Sequence, residues 1–206
     1  MLGVYVTVPV ACFRKGLARE YLETEPLPPP ATCYGFLLAL VGETDRRAHI
    51  GARVAPVLLN KPPTSVVLRT VWRVKKTPLG SSGNTRPDYQ QLLTEVKLVI
   101  WLDSVELEER VRNALLNPSS VTRFGGLSLG ESTHMVDEVC LFDRVRDRLP
   151  ATGRIFLRRD DRKGRLTLPA WVDHVGSAGT RYATGDLDES PLVAPSPDRM
   201  PVISPK

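Results

Sequence analysis

The sequence predicts an α+β fold with core elements in the order strand–helix–strand–strand–helix–strand, and three observations predict it. Near the N-terminus Val4, Val6 and Val8 alternate with Tyr5 and Thr7, the period of a half-buried strand. Two later stretches put apolar residues at helical spacing: Tyr34, Leu37, Leu38 and Val41, then Leu107, Val111, Ala114 and Leu115. Between them lie two runs rich in β-branched residues, 66–74 and 96–102.

The elements follow in order. The first strand ends near Pro9, and a basic loop with Arg14, Lys15, Arg19 and Tyr21 comes next. Pro26-Leu27-Pro28-Pro29-Pro30 is stiff and cannot be helical, so the first helix is expected to start at a Thr32 cap and stop at Gly42. Gly35, inside that helix, suggests close packing on the sheet. The strands at 66–74 and 96–102 are joined by 75–89, too long for a tight turn. Asp103 or Ser104 caps the second helix, with Glu106 at capping-box spacing from Asp103, and Asn117-Pro118 ends it. A strand at 135–142 closes the series. Segments 154–159 and 165–168 look like a hairpin around Asp160-Asp161-Arg162-Lys163-Gly164. The tail from Ser190 carries five prolines and reads as extended or disordered. The order is that of a split βαβ, ferredoxin-like unit, shared by RNA-recognition-motif sheets. The domain reading is 1–145 for this unit, 146–189 for a smaller β-hairpin extension and 190–206 for the tail.

At 206 residues, 42% hydrophobic and 25% charged, the chain suits one domain with appendages. The net charge of +5 permits a polyanionic partner without demanding one. Its distribution says more. From Asp186 onward four acids meet two bases, so the body is more basic than the whole. Within 66–97 six bases (Arg69, Arg73, Lys75, Lys76, Arg86, Lys97) face only Asp88 and Glu95. Cys12, Cys33 and Cys140 form no CxxC pair, so they are expected to be free thiols in a reducing cytoplasm and structural zinc is not expected. No basic residue precedes the apolar N-terminus, as a secretory signal would require, and no apolar run reaches the roughly 20 residues of a membrane span.

Four segments could carry chemistry. The run from Arg123 to Ser132 holds Gly125, Gly126 and Gly130, which let backbone approach a ligand, and Ser128 and Ser132, which can donate to phosphate. It is neither a Walker loop nor a GxGxxG after a strand, and a plain glycine turn is the alternative. The 75–89 loop offers bases for phosphate and Tyr89 for stacking, against the alternative of a solvated hairpin. The 14–21 loop repeats that combination. The cluster Arg158, Arg159, Arg162, Lys163 and Arg165 is offset locally by Asp160 and Asp161 and reads as a solvated hairpin. Catalytic signals are thin: His49, His134 and His174 are scattered, no G-x-S-x-G elbow exists, and only His134, beside the glycines, could serve as an acid or base for RNA cleavage.

Three stretches together carry a resemblance: Arg19-Glu20-Tyr21-Leu22-Glu23-Thr24 running into Pro28-Pro29-Pro30-Ala31-Thr32-Cys33-Tyr34-Gly35-Phe36-Leu37-Leu38; Val67-Leu68-Arg69-Thr70-Val71-Trp72-Arg73 with Arg86-Pro87-Asp88-Tyr89-Gln90-Gln91-Leu92-Leu93-Thr94; and Arg123-Phe124-Gly125-Gly126-Leu127-Ser128-Leu129-Gly130-Glu131-Ser132. They resemble family five of the CRISPR-associated proteins (Cas-five), in its DevS or Myxococcus-type branch found with type I-B-like systems, from the N-terminus to Phe142. The resemblance implies a RAMP-superfamily, ferredoxin-like domain with a protruding β-hairpin thumb at about 66–102. It implies a cytoplasmic, non-catalytic Cascade subunit in antiviral defence that grips the 5′ handle of crRNA and touches the backbone subunit and the large subunit. Target DNA near the PAM is a further contact. No cofactor, metal, membrane or small-molecule substrate is implied. Arg14, Lys15, Arg19, Tyr21, Arg69, Arg73, Lys75, Lys76, Arg86, Arg123, Gly125, Gly126, Ser128, Gly130, Ser132 and His134 become the RNA-binding candidates. One branch of the family cuts precursor crRNA with a tyrosine, a lysine and a histidine. Tyr34 and His134 exist here, but no Lys-His dipeptide does, which argues against that metal-independent endoribonuclease reading. The same systems also occur with Tn7-like transposons, a setting the sequence leaves open.

Overall fold

The computed structural model describes residues 1–16, 21–72, 78, 80–123, 125–159, 163–173 and 178–206. Among them are nine strands and two α-helices: β1 Leu2–Ala11, β2 Tyr21–Leu22, α1 Pro30–Leu40, β3 Arg53–Leu58, β4 Thr64–Trp72, β5 Thr85–Asp103, α2 Val105–Leu116, β6 Glu138–Leu141, β7 Thr152–Arg158, β8 Leu166–Trp171 and β9 Arg181–Pro191. The protein is α+β with a mainly antiparallel sheet in the order β6-β1-β5-β3-β7-β9-β8, and β2 and β4 also pair with β5.

β5 organises the sheet. Its second half lies between β1 (Val4↔Ile100) and β3 (Val57↔Val99), while its first half pairs with β4 from Trp72↔Thr85 to Thr64↔Leu93. The change of partner falls at Glu95, whose φ of 55° is left-handed. Asn60 straps this bend, donating from Nδ2 to the Glu95 carbonyl at 2.8 Å and accepting at Oδ1 from the Lys97 N–H at 3.2 Å.

One face of the sheet packs on α1 and α2 through Val4, Val6, Val8, Leu98, Ile100 and Leu102 against Leu37, Leu107 and Val111. The other face, carrying Tyr5, Val57, Val99 and Trp101, is covered by Phe142 and Val145 and by Leu192 and Met200 of the tail. Burial on both faces explains why Leu98–Leu102 reads as one apolar run rather than an alternation.

Several expectations are corrected. The second core strand is β3, which the sequence reading passed over because Pro56 sits inside it. Val54, two residues earlier, donates its N–H away from β5 to the Pro201 carbonyl at 3.0 Å. Pro56 therefore directs its missing N–H to that same side, away from β5 and just before the pairing with β7 begins at Val57, so the β5 ladder loses no bond. The expected strand at 66–74 is instead one arm of the β4–β5 ribbon. The ribbon pairs Thr64–Trp72 with Thr85–Leu93, since 96–102 belongs to the central sheet. Strand structure resumes at Thr85, so the supposed loop at 75–89 is shorter, and Arg86 and Tyr89 are strand residues.

α1 begins at Pro30, not at a Thr32 cap; proline at the first helical position loses nothing because that N–H has no helical partner. Gly42 does end it, with φ +70° and no room for a Cβ beside the Thr122 carbonyl oxygen. Gly35 is exposed, and a Cβ there would meet nothing within 4 Å, so it serves no close packing on the sheet. α2 starts from Ser104, whose N–H donates to Glu108 Oε1 at 3.0 Å, while Asp103 pairs with Arg53 at 3.1 Å instead of closing a capping box.

The expected 154–159/165–168 hairpin does not form. β7 and β8 each pair with β9, which lies between them. Its sequence, with Gly, Asp, Ser and Pro, hides it, yet a Cβ on Gly185 would stand 2.1 Å from the Leu157 carbonyl oxygen, so the close strand approach needs that glycine. The tail is extended but docked: Gly51 donates to Ile203 and Ile203 to Ala52, both at 2.8 Å, and Met200 and Ile203 are fully buried.

Candidate nucleic-acid interface

Three of the four candidate segments meet at one end of the sheet. The loop after β1 folds back so that Phe13 donates to Thr24 Oγ1 at 2.9 Å, Arg14 bridges to Thr24, and Lys15 lies 3.6 Å from Glu23. This brings β2 alongside β5 in parallel, with Tyr21 opposite Tyr89. The two rings stand edge to face at 6.4 Å, half-exposed, and the Tyr21 hydroxyl accepts from Gln91 Nε2 at 3.0 Å.

The β4–β5 ribbon has two unlike faces, set by strand alternation. Val66, Leu68 and Trp72 lie on the face of Tyr89, and all four are at least half-exposed. Arg69, Arg86, Asp88 and Gln90 lie on the other. Arg69 reaches Asp88 at 3.5 Å and Glu131 at 4.0 Å, and Gln90 Nε2 donates to Glu131 Oε1 at 3.0 Å. Through Glu131 the ribbon grips the glycine-rich loop.

That loop is shaped by its glycines. Gly125 and Gly130 have φ +83° and +107°, and a Cβ on Gly130 would press 2.8 Å from the Cys12 carbonyl oxygen. Ser128 bridges to Met135, and Arg123, Gly125, Gly126 and Ser132 are exposed. His134 points inward. Its Nδ1 accepts the N–H groups of Cys12 and Glu131, both at 3.1 Å, and burial holds its pKa below the ordinary histidine value. His134 therefore fastens the loop to the end of β1, and Nδ1 is engaged.

Arg19, Arg73, Lys75 and Lys76 lie outside the described residues. So do His174 and Arg162. Asp160 and Asp161, expected to offset the fourth cluster, also lie outside the described residues, while Arg159 and Arg165 of that cluster are paired with acids of β9. Asp186 accepts from the Arg165 N–H at 3.0 Å and from the Arg159 and Arg165 guanidinium groups, which hold its carboxyl far below the usual range, and Asp188 also meets Arg165 at 3.0 Å. Tyr34, the other residue considered for RNA cleavage, is buried and donates to the Arg46 carbonyl at 2.9 Å. Sequence reasoning missed Glu131, Gln90 and Gln91 as links among the segments; the alternation in 64–72 and 85–93 was the available signal. Among the described residues no group of three or more His, Cys, Asp or Glu could hold a metal ion, and no helix is long and apolar enough to cross a membrane.

The architecture is that of CRISPR-associated proteins. It superposes on a chain of a structure described as a CRISPR RNA-guided surveillance complex with a TM-score of 0.64 at 14% identity, covering 92% of this chain and 89% of that one. A crystal structure of a Cas protein gives 0.53 at 17% identity, covering 100% and 99%. No family model matches the sequence. The CRISPR-associated protein Cas5 of Myxococcus xanthus (strain DK1622) is 52% identical over 212 aligned positions, which cover 98% of this chain and 97% of that protein. The chain belongs to the Cas5 family.

Proposed function

We propose that the chain is a non-catalytic subunit of a type I CRISPR Cascade, of the I-B kind, that holds the 5′ handle of the guide RNA in antiviral defence. It caps the foot of the complex against the backbone and large subunits. The observation that carries this reading is the meeting of the 14–21 loop, the β4–β5 ribbon and the glycine-rich loop. Their hydrogen-bonded links bring bases and open glycine backbone to one side of the ribbon and leave exposed aromatic rings on the other, so that a single strand of RNA crossing this end of the sheet meets all three. The order β6-β1-β5-β3, with both helices on one face, reads as the ferredoxin-like unit of a RAMP protein, and the ribbon as its thumb. The inward, doubly bonded His134 favours holding over cutting.

Alanine variants at Arg14, Arg19 and Arg123 test the proposal in the assembled complex. Each is expected to weaken binding of handle RNA several-fold at low salt, with the difference from wild type shrinking as salt is raised. Unchanged affinity and assembly for all three would contradict it.

A further inference from the structure

Gly35 occupies the middle of α1, where glycine is the weakest helix former after proline. Nothing within the fold requires it: its φ is not left-handed, and an added Cβ would meet no atom within 4 Å. The space it leaves is the floor of a cleft of about 410 Å³. Ala31 and Ala39, one turn to either side, continue that floor, and Ser128 of the glycine-rich loop stands on one wall.

The opposite wall is built from Arg46 and Trp171. The Arg46 guanidinium lies 4.0 Å from the centroid of the Trp171 ring, its Nη2 donates to the Val172 carbonyl, and its own carbonyl accepts from the buried Tyr34 hydroxyl. A guanidinium fixed on an indole is a flat cationic surface that stacks with another planar ring. A second hollow of about 450 Å³ shares Gly126 and Ala39 with it and is lined by Arg123 and by Glu43, whose carboxylate is held by Arg110 at 2.7 Å, so a chain leaving the cleft passes an exposed base and an acid already paired.

We infer that this cleft takes one unstacked nucleobase of the bound RNA, with Arg46 on Trp171 as the stacking wall and Gly35 keeping the floor low. The inference rests on the RNA-holding reading above. The flat cationic wall and the hydroxyls of Thr32 and Ser128 at the rim suit a base on its ribose better than an apolar helix from another protein.

The test uses the full chain and a synthetic single-stranded RNA copying the 5′ end of the guide from the host's own repeat, with an abasic site moved one position at a time. One position alone is expected to lose about ten-fold in affinity when its base is removed. Gly35→Leu, which adds a better helix former into open space, is expected to keep the melting temperature. It should weaken the unmodified RNA about ten-fold and bind the critical abasic RNA no worse than the unmodified one. Wild-type binding with no base-dependent position overturns the inference without any variant. Full RNA affinity in Gly35→Leu also overturns it, and partner subunits lost at the same time would give the groove to a protein helix. If the wild type binds no RNA at all, the RNA-holding reading itself fails, and the cleft's role with it.

Discussion

His134 fastens the glycine-rich loop to the end of β1. Two backbone donors, Cys12 and Glu131, converge on its Nδ1, and the first is buried. His134→Ala would leave both without their acceptor, and chemical denaturation should show a loss of about 2 kcal/mol. The pH dependence follows from the depressed pKa, which Glu131 opposes and Arg69 reinforces. Above about pH 6.5 folded and unfolded chains both carry neutral His134, so its contribution is complete. As pH falls below that, the unfolded state takes up the proton first, and stability declines until the folded value is passed. His134→Gln, which keeps an acceptor and cannot titrate, should flatten that part of the stability profile; an unchanged profile would contradict the assignment. The letter His beside three glycines could not show this, because one of the two donors it meets, the Cys12 N–H, lies 122 residues away.

The β4–β5 ribbon is held to the loop by one side and left open on the other. No residue of β4 is buried, so its shape depends on pairing with β5 and on the polar links of Arg69 and Gln90. Removing Arg69 would leave the Asp88 carboxylate, nearly inaccessible, without its cation. Arg69→Ala is expected to cost about 2 kcal/mol and to raise amide exchange in 64–72 and 85–93 more than in β1, a pattern measurable by mass spectrometry. Elements with one clean period were legible in sequence: β1, and the apolar faces of α1 and α2. β3 was not, because a proline argues against a strand until the direction of its missing N–H is known. β9 was not, because its residues favour turns and only its partners make it a strand. The ribbon's arms were legible and its end was not, since nothing in the residues of 85–103 marks the exchange of β4 for β3 near Glu95, while β1 stays paired across the bend to Leu93.

For the whole molecule, the sheet is a wall between two cores, and the C-terminal tail closes the second. Ile203 and Met200 are fully buried, and the tail backbone continues the hydrogen bonding of 51–54. Ile203→Ala should therefore cost about 3 kcal/mol in denaturant unfolding, far more than a substitution in a solvated tail. Five prolines hid this, because composition reports the stiffness of a segment and not whether a groove receives it. Composition was equally silent on the site. A net charge of +5 decides little, whereas the folded-back loop, the ribbon and the glycine turn bring separate bases to one end of the sheet. Internal ion pairs remove other arginines, such as Arg159 and Arg165, from the reckoning.

The central claim is that this surface holds single-stranded RNA and leaves it intact. Its most direct test is a titration of the purified chain, in EDTA, against single-stranded RNA from the 5′ end of the guide at several salt concentrations, with the RNA examined afterwards on a denaturing gel. Binding should weaken linearly on a log–log plot, with a slope shallower by about 0.7 when Arg123 is replaced by alanine, and the RNA should be recovered at full length. Affinity that ignores salt and Arg123 alike, or RNA recovered shortened, would contradict the account.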